Sequence, residues 1–238
     1  MKANKGMALQ RIDNPEGRIR IALEAGASAE YLVLQDAAGR EGEVDYDISL
    51  SEGASLKMVF LSLDGAVLRN RLRVSLAGRH AACDLAGLCL ADGRQEISYD
   101  IVLTHAVPQC RSNQLFKCMV GGQATTRFDG LIKVVPDAQQ TEAYQANHNL
   151  LLSDAARAFT RPQLEIYADD VKCSHGATIG RLNEDELFYL RSRGITRTEA
   201  QLLQQMAFAG EVLAWMVDPQ LRESMQIRVE NRLRGEKC

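Results

Sequence analysis

The chain has 238 residues, 46% of them hydrophobic, with 28 basic and 31 acidic side chains and a net charge of −3. That composition supplies a sizeable core, and interleaved charges of both signs leave no basic stripe for a nucleic-acid backbone. No apolar run approaches the roughly 18 residues that cross a bilayer, and the first residues lack the apolar stretch of a secretory signal. A cytoplasmic protein without nucleic-acid or membrane partners is expected, its six cysteines reduced.

From residue 18 to 135, short alternating apolar segments are punctuated by glycine: "RIRIALEAGASAEYLVLQDAAG", "VDYDISLSEGASLKMVFLSLDG" and "LRNRLRVSLAGRHAACDLAGLCLADG". Each predicts a strand, a tight corner and another strand. The corner glycines Gly26, Gly53 and Gly78 recur after 27 and 25 residues, and "EAGASAEYLVL" is echoed by "SEGASLKMVFL". A period of that length filled with strands suits the stacked rungs of a solenoid, with a β-sandwich as the alternative. Further strands are predicted at 114–120, 130–135, 149–152 and 163–167, while the polar "PDAQQTEAYQANHNLLLSD" reads as a loop or a partly extended rung.

After Gly180 the texture turns helical. Asn183 and Glu186 have the spacing of a capping box, and Gly194 stands where that helix would stop. Thr196 and Glu199 repeat the start signal before "AQLLQQMAFAGEVLAWMV", and Asp218-Pro219 ends that helix and opens another. The expected division is a β domain over 1–180 and a small helical region over 181–238.

Cys173 and His175 are separated by one residue, so on a strand both side chains leave the same face. Thiolate and imidazole suit zinc or an iron–sulfur centre, but two ligands do not complete a four-coordinate site. A packed thiol beside a hydrogen-bonded histidine is the plainer reading, and a cysteine–histidine catalytic dyad is disfavoured by so short a sequence spacing. Asp169 and Asp170 are adjacent and would face opposite ways on a strand, which argues against paired catalytic carboxylates. Cys83, Cys89, Cys110 and Cys118 sit in apolar or alternating segments as small hydrophobes would, and His80, His105 and His148 are isolated. Neither a phosphate-binding G-x-x-x-x-G-K-[ST] loop nor a dinucleotide G-x-G-x-x-G occurs, so a nucleotide would have to be held by a partner.

The stretch "PQLEIYADDVKCSHGATIGRLNEDELFYLRSRGI", residues 162–195, closely resembles the C-terminal signature of the SufB/SufD family of iron–sulfur cluster assembly proteins, in its SufD branch. "SNQLFK", "FDGLIKV" and "QTEAYQANHNLLLS" resemble the same family's blocks in the same order. The resemblance implies a right-handed parallel β-helix followed by C-terminal helices. It implies a non-enzymatic subunit of a SufBCD-type scaffold, pairing with a SufB-like protein through the β-helix and docking a SufC-like ABC ATPase through its helices. His175 then corresponds to a histidine near the SufB–SufD interface that helps hold a transient cluster shared with SufB, and Cys173 to a less certain metal contact beside it. Phe188, Tyr189 and Arg191 become candidates for the SufC dock. Longer members carry an N-terminal helical region, whereas strands here begin by about residue 18. The alternatives are a homodimer through the same surface, a purely structural adaptor without metal contact and, more remotely, a β-helix polysaccharide lyase or hydrolase.

Overall fold

A computed structural model of the chain describes residues 9–235. Thirteen strands come first: β1 (Leu9–Asp13), β2 (Gly17–Leu23), β3 (Ser28–Asp36), β4 (Glu41–Leu50), β5 (Ser55–Asp64), β6 (Val67–Leu76), β7 (Ala82–Ala91), β8 (Glu96–His105), β9 (Arg111–Val120), β10 (Thr125–Val134), β11 (Thr141–Leu151), β12 (Arg157–Ile166) and β13 (Val171–Gly180). Three helices follow: α1 (Glu184–Ser192), α2 (Arg197–Leu213) and α3 (Pro219–Arg234). Successive strands alternate between two parallel sheets, ordered β1-β3-β5-β7-β9-β11-β13 and β12-β10-β8-β6-β4-β2. The result is a β-solenoid of about six turns.

The repeat noticed in the sequence is one turn of this solenoid: Ser28 pairs with Ser55 and Ser55 with Ala82. The corners stack as well. Gly26, Gly53, His80, Gln109 and Gln140 all adopt left-handed backbone, with φ between 57° and 69°. The N–H groups of Gly26 and Gly53 donate to the carbonyls of Glu52 and Arg79, both at 2.8 Å, so each corner hangs on the next. Gly78 is therefore not the third member of the glycine series, because His80 takes that position. Its small size answers a different need, since a Cβ there would lie 1.9 Å from the backbone nitrogen of Glu52.

Of the two readings of "PDAQQTEAYQANHNLLLSD", the extended rung holds for 141–151, and only its ends are loop. Its middle is β11, a full internal strand between β9 and β13. The reading as a loop failed because the inward positions Gln145, Asn147 and Asn149 are polar yet buried.

The two sheets differ in texture for a physical reason. The even-numbered strands alternate, with Val44, Tyr46, Ile48 and Leu50 of β4 inside and Asp45 and Asp47 outside. The odd-numbered strands β3, β5 and β7 are buried on both faces, because α2 and α3 cover their outer side. Leu32, Leu34, Val59, Leu61, Leu88 and Leu90 there meet Ala209, Val212, Leu213, Met216, Met225 and Val229. Polar ties fix the helices: the N–H of Val217 donates to Glu30 (3.1 Å), Arg232 donates to the Leu63 carbonyl (2.8 Å), and Arg228 pairs with Asp36. The helices thus lie along the flank of the solenoid and share a core with it.

Inside the solenoid an aromatic column runs through Tyr46, Phe60, Tyr99, Phe116 and Phe128, with neighbouring centroids 5.0–5.9 Å apart. The column ends below the last rung. There the interior becomes polar, lined by Gln114, Gln145, Asn147 and Asn149.

Candidate functional site at the open end

β12 and β13 are the terminal strands of their sheets, each paired on one side within the described residues. With no further rung above them, side chains that would be interior elsewhere meet solvent. β13 carries both candidate ligands: Cys173 aligns with Ala143 of β11, and His175 with Gln145. Being two apart on one strand, they share a face, with Cα atoms roughly 6–7 Å apart.

Their surroundings differ. Cys173 is half-buried and packs with Val171 and Leu164 against Ile132 and Ala143. Burial pushes its thiol pKa up, partly offset by a backbone hydrogen bond from Ala143. The thiol is therefore protonated at neutral pH and would have to lose that proton to bind a metal. His175 is exposed at the mouth of the solenoid. The donor chemistry of the pair suits iron or a cluster edge, yet no group of three or more His, Cys, Asp or Glu side chains among the described residues could hold a metal ion. Asp169 and Asp170 do not add ligands on the face of His175: they lie between β12 and β13, where the Asp170 backbone is tied to Gln139 and Gln140. Two candidate donors thus share one face at the open end, short of a full coordination set among the described residues.

Directly beneath His175 lies a layer that inspection of the sequence did not single out. Gln145 pairs in register with Gln114, one rung further in, and its Nε2 donates to the Gln114 Oε1 at 3.0 Å. Both glutamines are buried, and Gln145 Oε1 and Gln114 Nε2 have no partner. Gly130 on the opposite sheet leaves them room, for a Cβ there would lie 2.5 Å from Gln145 Nε2. The available signal was polar residues at inward strand positions, visible only once the strands were placed.

The other histidines and cysteines are structural in place. His105 is fully buried with Nε2 2.9 Å from the Ser112 hydroxyl, and His148 Nδ1 is 2.8 Å from the Thr178 hydroxyl. Cys83, Cys89, Cys110 and Cys118 are buried free thiols, while Cys238 lies outside the described residues.

Phe188, Tyr189 and Arg191 are on α1, whose start is capped by Asn183 accepting from the N–H groups of Asp185 and Glu186. Leu187 faces inward; Phe188 and Tyr189 are 74% and 56% exposed, large apolar surfaces for an isolated helix face. A cleft of about 500 Å³ lies alongside, lined among others by Leu150, Glu186, Leu190 and Phe208, and not by the three candidates themselves. Among the described residues no helix is long and apolar enough to cross a membrane.

Comparison with known proteins agrees with this architecture. Residues 13–208 match the family described as SUF system FeS cluster assembly, SufBD core domain. The chain is 39% identical over 189 residues to the iron-sulfur cluster assembly protein SufD of Escherichia coli, covering 79% of this chain and 45% of that protein. An iron-sulfur cluster assembly SufBD family protein of Synechocystis is 40% identical over 168 residues, 70% of this chain and 37% of the relative. The chloroplastic protein ABCI7 of Arabidopsis thaliana is 32% identical over 221 residues, 90% and 46%. The chain thus spans less than half the length of these three relatives.

Proposed function

Because the chain belongs to the SUF-system SufBD core family, we propose that it is the SufD-type half of an iron–sulfur cluster assembly scaffold. It works as a platform without turnover of its own. A SufB-type protein covers the open end of the solenoid, and a SufC-type ATPase docks on the C-terminal helices at Phe188, Tyr189 and Arg191. The nascent cluster is cargo, held between the two solenoid proteins, with His175 as this chain's contact and Cys173 beside it as a second donor.

The observation that carries the reading is the incompleteness of the site. A thiol and an imidazole share one face of a terminal strand whose outer edge is unpaired, and the described residues offer no third ligand near enough to group with them. Four-coordinate iron needs the rest from outside, which a partner seated on that edge supplies. Burial of the Cys173 thiol favours its protonated form, so His175 is the stronger candidate for first contact.

The test is anaerobic co-expression with the SufB-type and SufC-type proteins of the same organism, followed by iron and sulfide analysis of the purified complex. His175→Ala should leave the complex intact and lower its cluster content severalfold. Full cluster content in the intact variant complex would reduce the chain to a structural adaptor. Separately, Phe188→Ser with Tyr189→Ser should abolish capture of the ATPase by a folded chain, and undiminished capture would move the dock elsewhere.

A further inference from the structure

Given His175 as the cluster contact, we infer that Gln145 is its positioning residue, held in place by Gln114 and accommodated by Gly130. The four blocks quoted from the sequence, "SNQLFK", "FDGLIKV", "QTEAYQANHNLLLS" and "KCSHG", each contribute one residue to this single layer. Gln114, Gln145 and His175 are consecutive in register across β9, β11 and β13. Gly130 faces them from β10.

The direction of the ladder follows from its one hydrogen bond. Gln145 Nε2 points inward, toward Gln114 Oε1 at 3.0 Å and over Gly130. With Nε2 given to Gln114, Gln145 Oε1 is left free to accept from the next rung, which carries His175 in register. That oxygen is a buried acceptor without a partner in a residue only 3% exposed. A buried acceptor left unpaired costs stability, so its retention calls for a donor. Neighbouring parallel strands are roughly 4.8 Å apart, within reach of an imidazole N–H. Histidines that bind metal through one ring nitrogen generally give the other N–H to an oxygen acceptor, which fixes tautomer and ring orientation. Gln145 supplies that acceptor while its Nε2 is given to Gln114.

A Cβ at position 130 would collide with both Gln145 Nε2 at 2.5 Å and the Phe128 ring at 2.7 Å, so the seat exists only with glycine.

The test reads the histidine itself. In the ¹⁵N-labelled chain at mildly alkaline pH, the His175 ring should show one dominant tautomer and a slowly exchanging ring N–H with a cross-peak to the Gln145 side chain. Gln145→Met, which keeps the length and loses the acceptor, should abolish that N–H signal. Gln145→Glu should restore it, because a carboxyl buried there stays protonated and keeps both a donor for Gln114 and an acceptor for His175. In the complex with the SufB-type and SufC-type proteins, Gln145→Met should lose iron more readily than wild type, and Gln145→Glu less so than Gln145→Met. Should Gln145→Met not fold, the wild-type spectrum still decides: a rapidly exchanging His175 ring without contact to Gln145 overturns the assignment. So does an unchanged ring signal in folded Gln145→Met. The two readings fail separately, since His175→Ala that keeps its cluster removes the cluster contact while leaving the ring signal of the unmutated histidine as it is.

Discussion

Gly78 and His105 show how single residues carry the solenoid. Gly78→Ala places a methyl 1.9 Å from the Glu52 nitrogen and 2.3 Å from the Ser51 carbonyl carbon, both backbone atoms of the neighbouring corner. Gly53→Ala meets nothing closer than 3.9 Å and pays only for its left-handed φ of 63°, about 1–2 kcal/mol. Urea denaturation should therefore rank Gly78→Ala as clearly more damaging than Gly53→Ala, and the reverse order would mean that the corners are not packed as described. His105 sets a pH dependence. Burial lowers its pKa from 6.5 to about 4, so the folded state resists a proton that the unfolded chain accepts. Its contribution is complete above about pH 6.5 and is lost as pH falls toward 4, by up to about 3 kcal/mol. His105→Asn keeps a polar partner for Ser112 and cannot titrate, so its urea midpoint should fall less steeply between pH 7 and 4.5 than that of wild type.

At the scale of elements, much of the chain was legible because local chemistry and tertiary position agreed. Asn183, Thr196 and Asp218 cap α1, α2 and α3 as their spacing foretold, and Gly194 follows α1 with φ 88°. The doubly apolar runs of β3, β5 and β7 against the alternating runs of β4 and β6 record which sheet the helices cover, a clue that periodicity contains but that needs the sheet order to interpret. β11 was legible only in part, at 149–152 and as one of two readings of its segment, because buried carboxamides mimic loop composition; the Gln114–Gln145 layer escaped for the same reason. Cys173 and His175 were legible as a pair on one strand, since period-two geometry is local. Their exposure at an open end was not, because it depends on where the stack stops. Helix docking also hides a polar anchor: Lys117 is 3% exposed, 2.7 Å from Glu211 of α2 and 4.2 Å from the Phe208 ring centroid. Glu211→Ala strips a buried ammonium of its counter-charge and should cost about 1–3 kcal/mol, held below the fully buried range by the exposure of Glu211. Lys117→Met combined with Glu211→Ala should recover most of that loss in a double-mutant cycle. Equal losses in both variants would show the pair to be unimportant for docking α2.

For the whole molecule the decisive feature is an asymmetry of its two flanks and its end. One flank is covered by α2 and α3, the other bears solvated charge pairs such as Arg73–Asp100 and Arg161–Asp129. The end formed by β12 and β13 has no helix over it. It exposes Phe159, Ile166, Tyr167 and Ile179 beside two unpaired strand edges. Exposed, flat strand edges pair with other edges unless a charge, a proline or a covering element prevents it; Pro162 interrupts β12, which leaves β13 as the edge more open to pairing. Ile179 sits on the inward-facing side of β13 at the mouth, so Ile179→Lys inserts a charge where an added strand or sheet would have to pack. The purified chain without partners should accordingly self-associate with rising concentration, and Ile179→Lys should shift it to monomer in sedimentation velocity without changing its circular dichroism. On the proposed pairing, the same substitution should also abolish capture of a SufB-type protein, which would use the same edge. Adding the SufB-type protein to the wild-type chain should dissolve the homo-oligomer in favour of a mixed complex. A wild-type chain that remains monomeric at high concentration, or an Ile179→Lys variant that still captures its partner, would place the pairing surface away from this end and leave His175 too far from any shared cluster.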